Sequence, residues 1–235
     1  MKRLRFILVC TRVLAMSKAQ SETPAAAKSA GRPKASEVEA RTQELIRAAG
    51  CLILRHGYTK VSLEAIAREA RVAVRTIYVK FGGKAGLLRA VLASRRERLF
   101  AGHSMDLDTR PLREIVDEFA RNFYDLLVDP GAMAMQRVVI AEASSNPELA
   151  EAFYEGGPRL TREMLQRFFS RPDIRSQLRD DVPLDLLPTH LIGCISGDPI
   201  GRFLFPDTEP SREEARRELA ARLELFYASV LKNVK

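Results

Sequence analysis

The side chains best suited to chemistry with a partner lie in one stretch, VRTIYVKF at 74–81. On a helix this stretch turns Ile77 inward and offers Val74, Arg75, Tyr78, Val79 and Lys80 outward. An arginine fork bonds guanine edges in the major groove, a valine meets thymine methyls, and lysine and tyrosine hold phosphate oxygens. Together these groups can read duplex DNA. Nothing comparable points to catalysis. His56, His103 and His190 lie far apart with no Cys or Ser in a nucleophile motif near them, and Asp180-Asp181 sits in a Pro-flanked segment that reads as solvation. An enzyme needs a nucleophile, a base and an orienting group placed together, so none is expected. Cys10, Cys51 and Cys194 are scattered, without CxxC or Cys/His spacing. Neither a metal site, a cofactor nor a disulfide framework is expected, and a reduced cytosol suits them. Cys51, in an apolar helical stretch, reads as a small core residue. GGKAGLL at 82–88 lacks the first Gly and the Ser/Thr of a phosphate loop.

To present that face, the stretch must be a short helix locked against another. Ser62 caps SLEAIAREA, the tight connection Arg71-Val72-Ala73 follows, and Gly82-Gly83 stops the second helix. Ala67 is small enough for a close crossing, and Ile66, Ala70, Val72 and Ile77 supply the apolar faces. The run VSLEAIAREARVAVRTIYVKFGGKAGLL closely resembles the DNA-binding signature of the TetR/AcrR repressors. It shares the Ile-Ala pair, the Thr-x-Tyr-x-x-Phe run and the Lys that opens the next helix, and the resemblance covers about 36–100. It implies a DNA-binding set of Ser62, Ala73, Val74, Arg75, Thr76, Tyr78, Val79, Lys80 and Lys84. Within that set Tyr78, Lys84 and Ser62 match phosphate-holding positions, and Val74, Arg75 and Val79 match groove-facing ones. Two residues depart from the pattern. Arg71 stands where the family commonly has Gly, and a left-handed Arg costs about 1–2 kcal/mol. Ala73 replaces the usual capping Ser or Thr, a loss of roughly 1 kcal/mol.

Charge agrees with this division. Residues 1–110 carry 22 Lys/Arg against 9 Asp/Glu, while residues 111–235 carry 16 against 21. A basic front half suits a polyanion, and the back half has no apolar run near the ~20 residues of a membrane span. Residues 1–35 are read as a disordered basic extension. Their start, MKRLRFILVC, has too short an apolar run for a signal peptide, so residues 1–15 are left out of the fold, with Met16 as the natural start or residues 1–15 as an unstructured extension. GRPK at 31–34 suits either a minor-groove arm or a solvated tail.

The expected fold is all-α. A helix from Ser36 as its cap to about Arg55, with Val38, Leu45, Ala49 and Leu52 on one side, opens a three-helix DNA-binding domain over 36–83. A helical domain over 84–235 follows, its first helix (84–101) connecting the two. Later helices are expected near 112–128, 132–145, 147–170, 184–204 and 211–232, punctuated by prolines. RPLREIVDEFARNFYDLL, QRVVIAEASSNPELAEAFYEGGPRL and the last helices resemble the C-terminal domain of the AefR-like branch of the family, which implies ligand binding and dimerisation. Phe119, Phe123, Met133, Val139, Phe153, Met164, Phe168 and His190 fall on inward faces; the same spacing suits core packing or the wall of an apolar pocket. Gly193, Gly197 and Gly201, four residues apart, and the stripe Leu219, Leu223, Phe226 and Val230 are assigned to a two-fold interface, with packing inside one subunit as the alternative. Pro199 is expected to kink the glycine helix.

The expected protein is therefore a cytoplasmic homodimeric regulator. It binds a palindromic double-stranded operator and is released by a small apolar or amphipathic effector, with no membrane partner. A sequence-indifferent DNA binder and a helical small-molecule-binding protein or enzyme are the alternatives.

Overall fold

The computed structural model describes residues 35–100, 105–205 and 211–232. The N-terminal extension with its GRPK arm, Cys10 and Met16, together with His103, lies outside the described residues. Every named element is helical, and the described chain falls into two compact units that divide at Val91/Leu92.

The first unit contains α1 (Ala35–His56), α2 (Leu63–Glu69), α3 (Val74–Phe81) and the opening turns of α4 (Lys84–Phe100). Helix α1 already includes Ala35, so Ser36 lies in its first turn and does not cap it. The buried stripe is Leu45, Ala48, Ala49 and Ile53; Val38 is exposed and Leu52 and Cys51 are only half-buried, because the apolar face sits one notch around from the expected one. Gly57, at φ 82°, ends the helix in a left-handed turn open to glycine without cost. Ala85, Leu87, Leu88 and Val91 of α4 are buried within this unit. The helix expected to connect the domains thus gives its first two turns to the head, and the boundary moves from residue 83 to 91.

In the second unit, helices α5 (Leu112–Val128), α8 (Leu160–Ser170), α10 (Leu187–Ser196) and α12 (Arg212–Val230) build the main core. Helix α10 packs against α12, α8 and α5. Helix α6 (Pro130–Glu142) lies against α5, with Asp129 accepting from the Ala132 amide at 2.8 Å as its cap. Helix α7 (Pro147–Tyr154) leads through a π turn at Glu155–Arg159 into α8, so the single helix expected at 147–170 is interrupted. A one-turn helix, α9 (Pro172–Arg175), follows. Ahead of α5, Arg171 Nη1 donates to the Met105 and Asp108 carbonyls at 2.6 and 2.8 Å. The Asp108 carboxylate, fixed by Arg110, is held down at about 2.

The helix expected at 184–204 is also two. Helix α10 stops at Ser196, Gly197 takes φ 62°, and Asp198 accepts from the Gly201 amide at 2.9 Å to cap α11 (Pro199–Leu204). Proline lacks the N–H that a continuous helix needs, so the chain restarts at Pro199 instead of kinking there. Gly193 and Gly201 consequently sit on different helices, and Arg222 closes over Gly197, its Cζ 3.1 Å from where a Cβ would stand. The three glycines form no common face. The other half of the expected interface fails for a different reason. Leu219, Leu223, Phe226 and Val230 are enclosed in the subunit's own core. That apolar stripe packs inward, and the outer face of the same helix carries Leu225, 72% exposed.

Candidate nucleic-acid interface

Helix α2 starts where Ser62 Oγ accepts from the Ala65 amide at 3.1 Å, satisfying one of the free donors of the first turn. The chain then reverses through residues 70–73. The Val72 amide donates to the Ala67 carbonyl at 2.9 Å, and Arg71 adopts φ 54°. This is the left-handed conformation expected at the glycine position of the turn. Helix α3 begins at an Ala73 that is extended (φ −74°, ψ 144°) and makes no side-chain cap, also as expected. It ends on Gly82 at φ 74°, whose amide donates to the Tyr78 carbonyl at 2.9 Å. Ile66, Ala67 and Ile77 of the two short helices are buried, and these helices pack on each other. Ala70 and Val72 are half-buried at the edge of the same contact.

Locking the inner side leaves the outer side free. Arg75 and Lys80 are exposed, Tyr78 is 57% exposed and Val79 75% exposed. A valine so open to water, next to an arginine and a tyrosine, is an apolar contact presented outward. Val74 and Thr76 are half-buried at the edge of this face, and Ser62 and Ala73 are exposed at the two helix starts. Two basic residues are held by neighbours. Lys80 Nζ donates to Thr42 Oγ1 on α1, and the Lys84 ammonium sits 4.3 Å over the Tyr58 ring. Both contacts fix where the charge sits. Tyr58 and Thr42 were not marked in the sequence, because neither belongs to the helix-turn-helix run; only the buried ring one turn before Ser62 offered a hint. Arg41 and Arg71, both exposed, line a groove with Val38 and Thr42 beside the turn.

The residues assigned to an apolar pocket are placed differently. Phe168 is wholly enclosed and meets Phe169 edge-on at 5.3 Å. Phe119 stacks on Phe123 at 5.4 Å, and these two, Met133 and Val139 are all buried. Phe153 and Met164 are half-buried. His190 is exposed at the surface, 3.2 Å from Ser229 Oγ and against Phe226. The second unit does hold a cleft of about 700 Å³, but none of these eight residues lines it. Tyr124, Asp125, Arg202, Phe205, Arg212 and Arg222 are among those that do. Among the described residues no His/Cys/Asp/Glu cluster could hold a metal ion, and no helix is long and apolar enough to cross a membrane.

Two short helices locked at a tight turn, with a basic and aromatic outer face, define a helix-turn-helix transcriptional regulator. Residues 45–91 match the family described as bacterial regulatory proteins, tetR family, and residues 114–229 match the AefR-like transcriptional repressor C-terminal domain. The chain belongs to the tetR family. An uncharacterised HTH-type transcriptional regulator of Mycobacterium bovis is 29% identical over 178 residues, 74% of this chain and 81% of that protein. A TetR-family regulator from Mesorhizobium loti has a similar structure, with TM-score 0.67 and 23% identity over 85% of this chain and all of that one. The flavonoid-responsive regulator FrrA gives a TM-score of 0.64 and 25% identity over 83% of this chain and all of that one.

Proposed function

We propose that this protein is a cytoplasmic, homodimeric repressor that binds a palindromic operator through α3 and is released when a small amphipathic molecule binds the second unit. The observation that carries the reading is the outer face of α3, where Arg75, Tyr78 and Val79 stand free on a scaffold locked by Ile66, Ala67 and Ile77. In this reading Arg75 bonds a guanine edge, Val74 and Val79 contact bases, and Ser62, Ala73, Thr76, Tyr78, Lys80 and Lys84 position the helix on phosphates. Lys84 held over Tyr58 is a preplaced phosphate contact.

One head covers one half-site, and two heads about one helical turn apart need a two-fold partner. The buried stripe of α12 is unavailable for that contact, so we assign it to the exposed apolar side chains Ile200 and Leu204 of α11, Phe205 just beyond it and Leu225 of α12. Release follows if effector and operator favour different spacings of the two heads. Support for a small-molecule effector comes from the AefR-like match and from FrrA, whose name describes a response to flavonoids.

Selection of binding sites from random duplex DNA with the full-length protein tests this reading. A two-fold symmetric sequence with half-sites about one helical turn apart is expected. Recovery without sequence enrichment would identify a sequence-indifferent binder, and sedimentation as a monomer at micromolar concentration would remove the dimer.

A further inference from the structure

Helices α7 and α8 form one helical path widened at its middle. The π turn Glu155–Arg159 contains Gly156, Gly157 and Pro158. Pro158 has no N–H to give to the preceding turn, which frees the path to widen there. Two regular turns take about seven residues, so one extra residue makes eight the in-register spacing across this point. Tyr154 and Arg162 are eight apart. The guanidinium of Arg162 lies 5.6 Å over the Tyr154 ring. In an unbroken helix the two would point roughly 80° apart.

The charge brought there is not neutralised by its own helix. Glu155 and Glu163 both pair with Arg159, at 3.7 and 3.2 Å. Arg162 Nη1 is buried and has no hydrogen-bond partner among the described residues. Arg162 as a whole is half-buried, and its buried Nη1 loses hydration for which the Tyr154 ring, lacking an oxygen acceptor, compensates only in part. A carboxylate restores most, because the guanidinium fork and the two carboxylate oxygens match in parallel N–H···O bonds. Tyr154 is 49% exposed, which leaves this site an approach from solvent. Phe153, half-buried and next to Tyr154 in the chain, is the nearest apolar side chain for the rest of such a molecule.

We propose that Arg162, stacked on Tyr154, binds the carboxylate of an organic-acid effector. The proposal rests on the reading of the second unit as the effector domain and adds the charge of the ligand. Full-length wild type and Arg162→Gln are compared by thermal unfolding and by operator gel shift. The probes are sodium benzoate and sodium octanoate, an aromatic and an aliphatic acid, against the neutral benzamide and octanamide. At least one acid is expected to raise the melting temperature and release operator where its amide does not. In Arg162→Gln the required acid concentration rises tenfold or more, with unchanged operator affinity in its absence. Tyr154→Leu gives a smaller, severalfold loss. If Arg162→Gln does not fold, Arg162→Lys, which keeps the charge and loses the fork, is expected to show an intermediate response. Acids without effect, amides matching acids, or an arginine variant responding like wild type would each overturn the proposal. A flavone releasing operator equally from wild type and Arg162→Gln, with both acids inert, would keep the effector domain and remove the acid. An acid that binds through Arg162 yet never releases operator would keep this site and remove release as its consequence.

Discussion

Helix α3 in the head and helix α12 in the body each carry apolar side chains on two sides, and the two helices use them in opposite ways. In α3, Ile77 alone is buried, while Val79 stands in water beside Arg75 and Tyr78. In α12, Leu219, Leu223, Phe226 and Val230 all turn inward, and only Leu225 stands out. The head therefore exposes side chains that its small core does not need, and in the proposed function these contact DNA. The body shows a wide apolar stripe that its large core consumes. An apolar residue marks function where packing leaves it exposed, and an apolar stripe at helical spacing marks packing first.

The largest effect that could break this contrast is in the body core. Phe168 was a candidate pocket wall and is instead enclosed on all sides. Phe168→Ala should destabilise the protein by about 3–5 kcal/mol in urea unfolding, the cost of deleting a packed aromatic. A residue lining an open pocket would lose far less, so a small effect would return Phe168 to the pocket and erase the difference between the units.

The next effect belongs to the head. Arg75→Ala should weaken operator binding by roughly 1–3 kcal/mol and relax preference at one base position. Lys84→Ala should weaken all sequences about equally and lower the salt dependence, since a phosphate contact releases counterions. A gel-shift salt series separates the two. Wild-type behaviour from both variants would mean that another face of the head docks on DNA.

The turn, the two helix starts and the outer face of α3 were legible in the sequence because each depends on a few neighbouring residues. Gly57 and Gly82 end their helices at positive φ, Ser62 caps α2, and Arg71 takes the left-handed position. The body depends on contacts far apart along the chain, and there the reading failed in specific ways. Gly193, Gly197 and Gly201 form a stripe only if one helix carries them all. That expectation ignored how Asp198 and Pro199 together make a new helix start. The π turn at Glu155–Arg159 had a visible cause in Gly156-Gly157-Pro158, yet the eight-residue register it creates cannot be read from a 3.6 period. Lys80 on Thr42 and Lys84 on Tyr58 join residues more than twenty-five apart in the chain, so no local pattern marks them.

A smaller effect compares the two helix starts of the head directly. Ser62 accepts a hydrogen bond from the first turn of α2, and Ala73 leaves the first turn of α3 without one. Ser62→Ala should therefore cost about 1 kcal/mol and Ala73→Ser should add about as much, read by thermal unfolding. Ala73 already has the extended backbone of a capping residue, so the new hydroxyl needs no rearrangement of the chain. Equal and opposite shifts would confirm that the asymmetry lies in the caps alone.

The smallest effect sits between those two helices. At φ 54° Arg71 pays the steric cost of a left-handed L-residue, about 1–2 kcal/mol. Its side chain is exposed and makes no hydrogen bond or ion pair among the described residues. Arg71→Gly removes the strain but gives the unfolded chain more freedom, which offsets roughly 0.4–1 kcal/mol of the gain. The net is a melting temperature that is unchanged or slightly higher, with operator binding retained, because Ile66, Ala67 and Ile77 still set the helix crossing. A clear fall in melting temperature would show that the arginine side chain stabilises the turn. Unchanged stability with weaker operator binding would instead extend the DNA-reading face from α3 into the turn, toward the exposed Arg41 in the adjoining groove.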